Sequence, residues 1–334
     1  MTSEKKATKD VVKGQSLWSD AWQRLKKNKM ALFSGTFLCL IFILCFILPT
    51  IGGILSPDDP VERATSYWFK DPNYQNLDNT FASPNGEHWL GTDASGRDLF
   101  SRLLYGGQIS LLVGLVATTI SVILGVAYGA ISGYAGGRAD AIMMRIVDIL
   151  YGLPFLVLVI LFSLLVSAHM EQVSIFLKED WKWGRDFVDR SANLIPLFIA
   201  ISALGWLTIA RIARAQALTL KKQDFVEASI SLGLSHRKIL TRHILPNMLG
   251  PIIVYTTLTV PGFILTEATL SFLGLGVAAP NSSWGILLKE GANYMETYPR
   301  LLIVPSIVFS LTLLALNFLG DGLRDALDPK ASKD

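Results

Sequence analysis

Long apolar runs alternate with polar stretches along the whole chain. Six runs, at 30–55, 109–134, 149–169, 194–210, 248–272 and 301–319, contain a single acid, Glu267, and no Lys or Arg. A helix rises about 1.5 Å per residue and the hydrocarbon of a bilayer is about 30 Å thick, so each run predicts a membrane-spanning helix. The run at 194–210 is the shortest, and Arg211 can lengthen it because its stem lies along the helix while its guanidinium reaches the headgroups. The first run follows a polar leader and lacks a small-residue cleavage site, so it reads as a retained span and not as a signal peptide. The expected fold is an all-α membrane protein of six transmembrane helices.

Lys and Arg set the expected orientation. The leader carries Lys5, Lys6, Lys9, Lys13, Arg24, Lys26, Lys27 and Lys29. The loop 211–247 carries Arg211, Arg214, Lys221, Lys222, Arg237, Lys238 and Arg242 against only Asp224 and Glu227. The stretches 56–107 and 170–193 mix acids with bases. Both termini are therefore expected in the cytoplasm. The resulting division is a cytoplasmic segment at 1–29, a first span at 30–55, an external loop at 56–107, a core of five spans at 108–322 and a cytoplasmic tail at 323–334.

Composition agrees with lipid as the solvent: 51% of residues are hydrophobic, 17% are charged and the mean hydropathy is +0.42. Cys39 and Cys45 fall within one apolar run, and His88, His169, His236 and His243 are scattered, which argues against a disulfide and a metal site. The net charge is only +3, and no nucleic-acid partner is expected. Gly125, Gly129 and Gly133 recur every fourth residue in the second run, a spacing that lets two helices approach closely. Pro154, Pro251, Pro261, Gly262 and Pro305 interrupt other runs, and such breaks need a neighbouring helix or a wet cavity.

The most informative polar stretch is 224–247. Asp224 is a good N-cap residue and Glu227, three positions on, completes a capping box. Phe225, Ala228 and Leu232 share one face, Gly233 supplies a stop, and a second helix can run from Ser235 to Pro246. Helix–helix connections in bundles are usually about two to eight residues long, so the much longer loop here is expected to be functional.

Glu227-Ala228-Ser229, then Gly233-Leu234, then Leu245-Pro246 resembles the "EAA" loop of binding-protein-dependent ABC importer permeases, with Ser229 and His243 where the general form has Ala and Ile. His88-Trp89-Leu90-Gly91-Thr92-Asp93, Gly96-Arg97-Asp98 and Ser101-Arg102 are similar to the peptide branch of that family, the OppC/DppC type. So are 266–276 with Ser283-Trp284-Gly285, and 317–329; Ser16-Leu17-Trp18 and 291–296 look closest to the oligopeptide permease C subunit. Arg300, where the group often has Trp, and the long 170–193 loop with Trp181-Lys182-Trp183 depart from the pattern.

The resemblance implies a type I ABC importer permease fold in a bacterial inner membrane, in which Asp224, Glu227, Ala228, Ser229, Gly233, Leu234, Leu245 and Pro246 couple to an ATPase. The implied partners are a homologous second permease, two cytoplasmic ATPase subunits and an external peptide-binding protein. The implied cargo is peptide; related permeases carry nickel or glutathione. The sequence contains no Gly-x-x-x-x-Gly-Lys-Ser/Thr phosphate loop, so ATP and Mg would be bound by partners, with no cofactor in this chain and no enzymatic role for it.

Two further expectations concern single sites. Glu267 either lines the translocation path or forms a structural pair. The stretch 93–98 lacks the ligands of a calcium loop and is expected as a capped amphipathic helix at the external interface, anchored by Trp89. An ion-driven secondary transporter would call for paired intramembrane charges, which the runs lack.

Overall fold

A computed structural model describes residues 17–55, 70–179, 185–278 and 281–327. The leader residues Lys5, Lys6, Lys9 and Lys13, the Trp181-Lys182-Trp183 motif and the tail from 328 lie outside the described residues. In chain order the helices are α1 (Leu17–Lys27), α2 (Lys29–Phe42), α3 (Leu48–Leu55), α4 (Leu99–Ala135), α5 (Gly137–Tyr151), α6 (Phe155–Glu179), α7 (Arg185–Lys221), α8 (Asp224–Ser231), α9 (His236–Ile239), α10 (Leu245–Leu273), α11 (Trp284–Asn293) and α12 (Arg300–Leu327). Among the described residues six stretches are long and apolar enough to cross a bilayer: Lys29–Ile51, Leu99–Ala135, Phe155–Lys178, Ala192–Lys221, His236–Leu273 and Arg300–Leu327.

The helix boundaries differ from the apolar runs for local reasons. The second span starts at Leu99 because the Asp98 side chain caps it, accepting from the Ser101 N–H at 2.8 Å. The expected interfacial helix at 93–98 is therefore absent. Asp93 Oδ1 accepts from the backbone N–H groups of Ser95 and Arg97, and Gly96 at φ 71° closes the turn. Trp89 stands in that loop, half exposed, against Phe100. Gly152-Leu153-Pro154 separates α5 from α6, so the third span begins at Phe155 and not near 149. The stretch 170–193, expected as a loop, is helical up to Glu179 and again from Arg185. Helix α12 continues to Leu327, past the expected start of the tail.

Two π-helical turns, Ile43–Ile47 and Leu240–Ile244, join α2 to α3 and α9 to α10. Each lies just ahead of a proline, Pro49 or Pro246. Proline has no N–H and its ring presses on the carbonyl four residues back; the wider turn accommodates both effects without ending the helix. Pro246 therefore occupies the first turn of α10 and does not stop the preceding helix, so His236–Leu273 forms one long span.

The interior is mostly apolar, with small hydroxyl residues set into it, and much of the apolar surface faces outward. Ser110, Thr118, Ser121, Ser132, Ser202 and Thr312 are buried, while Ile303, Ile307, Leu311 and Leu314 are exposed along one face of α12. Helices α4 and α7 approach each other closely along a row of glycines. A Cβ at Gly125 would stand 2.7 Å from Ile209 Cβ, one at Gly133 would stand 2.6 Å from the Arg214 carbonyl oxygen, and one at Gly129 would overlap the Ala210 carbonyl. The four-residue glycine spacing is thus helix packing. Gly129→Leu is expected to cost at least about 1–3 kcal/mol by overpacking, read as a lower thermal midpoint in detergent. Gly250→Leu, where a Cβ meets nothing within 4 Å, is the control; equal midpoints for the two variants would refute the close seam.

Candidate coupling site

At one end of the bundle α7, α8, α9 and the start of α10 form a projecting unit with an apolar root. Val226, Ile239, Ile244 and Met248 have no exposed surface, and they cluster with Ala130 of α4 and Ala213 and Ala217 of α7. Small residues on the two spans leave room for the larger side chains of the loop.

Helix α8 begins one residue earlier than the capping-box pattern implies. After Lys221 the chain turns through Lys222 and Gln223, whose N–H groups bond to the carbonyls of Thr219 and Leu220. Gln223 is the N-cap and its carbonyl accepts from the N–H groups of Val226 and Glu227. Asp224 therefore sits inside the first turn and the expected Asp224–Glu227 box does not form. Both acids lie where the positive end of the helix dipole favours them.

The other end of α8 follows the sequence. Gly233 adopts φ 76°, its N–H bonds to the Ile230 carbonyl at 2.9 Å, and the Leu234 N–H reaches back to the Ser229 carbonyl at 3.2 Å. This is a Schellman stop, which an L residue with a Cβ resists. Leu234 turns into the apolar root. Ser229 is buried and its hydroxyl bonds to the Phe225 carbonyl at 2.7 Å, so a small side chain suits that position.

The face shared by Phe225, Ala228 and Leu232 points away from the bundle. Phe225 is 40% exposed, Ile230 47% and Leu232 80%, and Asp224 and Glu227 flank them in solvent. Leu245 packs partly on the root and Pro246 is exposed at the start of α10. An exposed apolar face on a short, firmly rooted helix is suited to burial in the groove of another protein.

Charge pairs brace the spans around this unit. Arg214 of α7 holds Asp140 of α5 with two hydrogen bonds of 2.5 Å, and Ser132 of α4 donates to the same carboxylate at 2.6 Å. The Arg214 hydrogen bonds hold the Asp140 carboxyl below its ordinary range, against the opposing effect of burial, with help from Ser132. A depressed folded value contributes stability above the ordinary aspartate range, and that contribution disappears as pH falls through the folded value. Asp140→Asn is expected to lose on the order of 1 kcal/mol at pH 7, the partly exposed arginine being screened. Its melting should also fall less than wild type on acidification below about pH 4. Parallel pH profiles in detergent would refute the contribution.

At the opposite end of the bundle lies a charge network built largely from residues that the sequence presented only as motifs. Arg102 bridges Asp93 at 2.6 Å and Glu290 of α11 at 2.5 Å, and Arg97 bonds to the same two carboxylates. His88 Nδ1 lies 2.8 Å from Asp98. Arg300 donates to the carbonyls of Phe81 and Ala82 at 2.8 and 2.6 Å, so this departure from the family pattern fastens the loop before α4 to α12. Glu267 is fully buried and accepts from Ser110 at 2.8 Å and Ser271 at 2.7 Å, and Ser110 Oγ in turn accepts from the Trp284 N–H. Through these bonds Glu267 ties α4, α10 and α11 together. Its neighbour Thr266 lines a groove of about 540 Å³ bordered by Tyr151, Leu204, Thr208, Tyr255 and Thr259.

Known proteins share this sequence along its length. Residues 125–333 match the family described as binding-protein-dependent transport system inner membrane component. Residues 16–84 match the N-terminal TM domain of oligopeptide transport permease C. The chain is 45% identical to an oligopeptide transport system permease protein OppC of Haemophilus influenzae, over 96% of this chain and 90% of that protein. It is 41% identical to a dipeptide transport system permease protein DppC of Bacillus subtilis, over 99% and 92%. It is 40% identical to the OppC protein of Escherichia coli K12, over 98% and 96%. On the match to residues 125–333 and on identities above 40% over nearly the full length, the chain belongs to the binding-protein-dependent transport system inner membrane component family.

Proposed function

We propose that this chain is one of two permease subunits of an ATP-driven, binding-protein-dependent peptide importer in a bacterial inner membrane, with both termini in the cytoplasm. The observation that carries the reading is the α8 unit: a capped helix with a buried apolar root and an exposed apolar face, on the most basic loop of the chain. Two cytoplasmic ATPase subunits bind ATP and Mg, and one of them takes Phe225, Ala228 and Leu232 into a groove. Closure of the ATPase pair pulls the rooted unit, and α7 and α10, continuous with it, move together. The groove beside Thr266 and Tyr255 is this subunit's share of the path, which a homologous permease completes. An external binding protein delivers the peptide.

Peptide is favoured as cargo over nickel or glutathione because relatives 45%, 41% and 38% identical over nearly the whole chain carry oligopeptide and dipeptide names. An ion-driven transporter is disfavoured because Glu267, the acid within a span, is fully engaged by hydroxyls. Proteoliposomes holding both permeases and both ATPases should accumulate labelled peptides only when ATP and the binding protein are supplied. Uptake driven by a proton gradient without ATP would refute the proposal.

A further inference from the structure

Three elements meet at one residue at the α8 end of the bundle. Tyr134 stands in the last turn of α4, one residue after Gly133 has brought that helix against α7. Lys221, the last residue of α7, donates to the Tyr134 carbonyl at 2.6 Å, and its ammonium lies 5.4 Å from the centre of the Tyr134 ring. His236, the first residue of α9, shares a 2.8 Å hydrogen bond between its Nδ1 and the Tyr134 hydroxyl, its ring edge-on to the tyrosine at 5.8 Å. Lys221 and His236 are the residues on either side of the 222–235 segment that contains α8 and the Gly233 stop. One tyrosine therefore holds both feet of the projecting helix.

We propose that Tyr134 is the positioning residue that fixes the orientation of α8 and passes its displacement to α4. The apolar root at Val226, Ile239 and Ile244 keeps the unit attached, but burial is non-directional and leaves rotation about the root inexpensive. Hydrogen bonds to the two feet remove that freedom because they have preferred distances and angles. The receiving element is suited to the task. Helix α4 has 37 residues, about 55 Å at 1.5 Å per residue, with no proline to soften it. Its far end carries Ser101 and Arg102, in the network that holds α11 and the loop before α4. A push at Tyr134 thus reaches the opposite end of the bundle through one rod.

This inference rests on the importer reading, and the experiment separates the two. In proteoliposomes of the complete complex, ATP hydrolysed per labelled peptide imported is compared for wild type, Tyr134→Phe, His236→Ala and His236→Asn. Phenylalanine keeps the ring and the carbonyl that Lys221 binds and removes only the hydroxyl. The expected result is a rise of about threefold or more in ATP per peptide for Tyr134→Phe and His236→Ala, about one bond's worth of coupling. The double variant should be no worse than either single, and His236→Asn, whose amide can donate or accept at the place of Nδ1, should restore the ratio. An unchanged ratio in Tyr134→Phe overturns the proposal. So does a parallel fall in uptake and hydrolysis with lower thermal stability, which marks a merely structural contact, and so does additive loss in the double variant. Absence of ATP-dependent uptake in the wild-type complex would instead overturn the importer reading.

Discussion

Gly233→Val is expected to cut coupled peptide uptake about tenfold or more while the protein still inserts and assembles. Gly233 sits at φ 76°, and a Cβ there would meet nothing within 4 Å, so the penalty is one of backbone conformation and not of crowding. The left-handed region costs an L residue about 1–2 kcal/mol, and a β-branched one more. Escaping that cost means giving up the bonds from Gly233 to Ile230 and from Leu234 to Ser229, which aim the exposed face of α8. A loss of 1.4 kcal/mol in the docked geometry is about tenfold in occupancy, so uptake should fall by about tenfold or more. ATP hydrolysis should continue without matching transport. Gly233→Asn, which tolerates positive φ, should retain most uptake. Coupled uptake at the wild-type ratio in the valine variant would remove the stop from the mechanism.

Arg102→Met is expected to have the largest effect on stability. The arginine side chain is 3% exposed and lies between Asp93, 7% exposed, and Glu290, 37% exposed. Removing one partner of a buried pair costs about 3–5 kcal/mol because the other charge is left without compensation. Here Asp93 keeps Arg97 and two backbone donors and Glu290 keeps contact with water, so the cost is expected at the low end of that range, about 3 kcal/mol. A drop in thermal midpoint on the order of 10 °C in detergent should result. Arg97→Met, at the more exposed rim of the same network, should cost about 1 kcal/mol. Adding Asp93→Asn to Arg102→Met should recover part of the loss. If both arginine variants melt alike, the network is not the clasp at that end of the bundle.

The α8 unit was legible in the sequence to a particular depth. Gly233 as a stop was readable because positive φ is a property of one residue type and its position after an apolar face. Phe225, Ala228 and Leu232 as one face was readable from helical spacing. The capping box at Asp224 was not realised, because the chain leaving α7 turns through Lys222 and Gln223, and the hydrogen bonds of that turn make Gln223 the first cap. Which side of α8 is buried was also hidden: Val226 faces the root only because Ala130, Ala213 and Ala217 leave a hollow there.

The sequence alone determined the six apolar spans, the glycine seam's spacing and the site of the long basic loop. Each depends on residues that are close along the chain: a span needs only enough consecutive apolar residues to cross the hydrocarbon, and a helix face only a fixed spacing. Tertiary structure alone decided the partners of the isolated charges. Arg102 meets Glu290 across 188 positions, Glu267 meets Ser110 across 157, and Tyr134 meets His236 across 102. A buried charge or hydroxyl must find a partner, but nothing local states which one. Only the packing of α4 against α10, α11 and the α8 unit brings those groups within bonding distance.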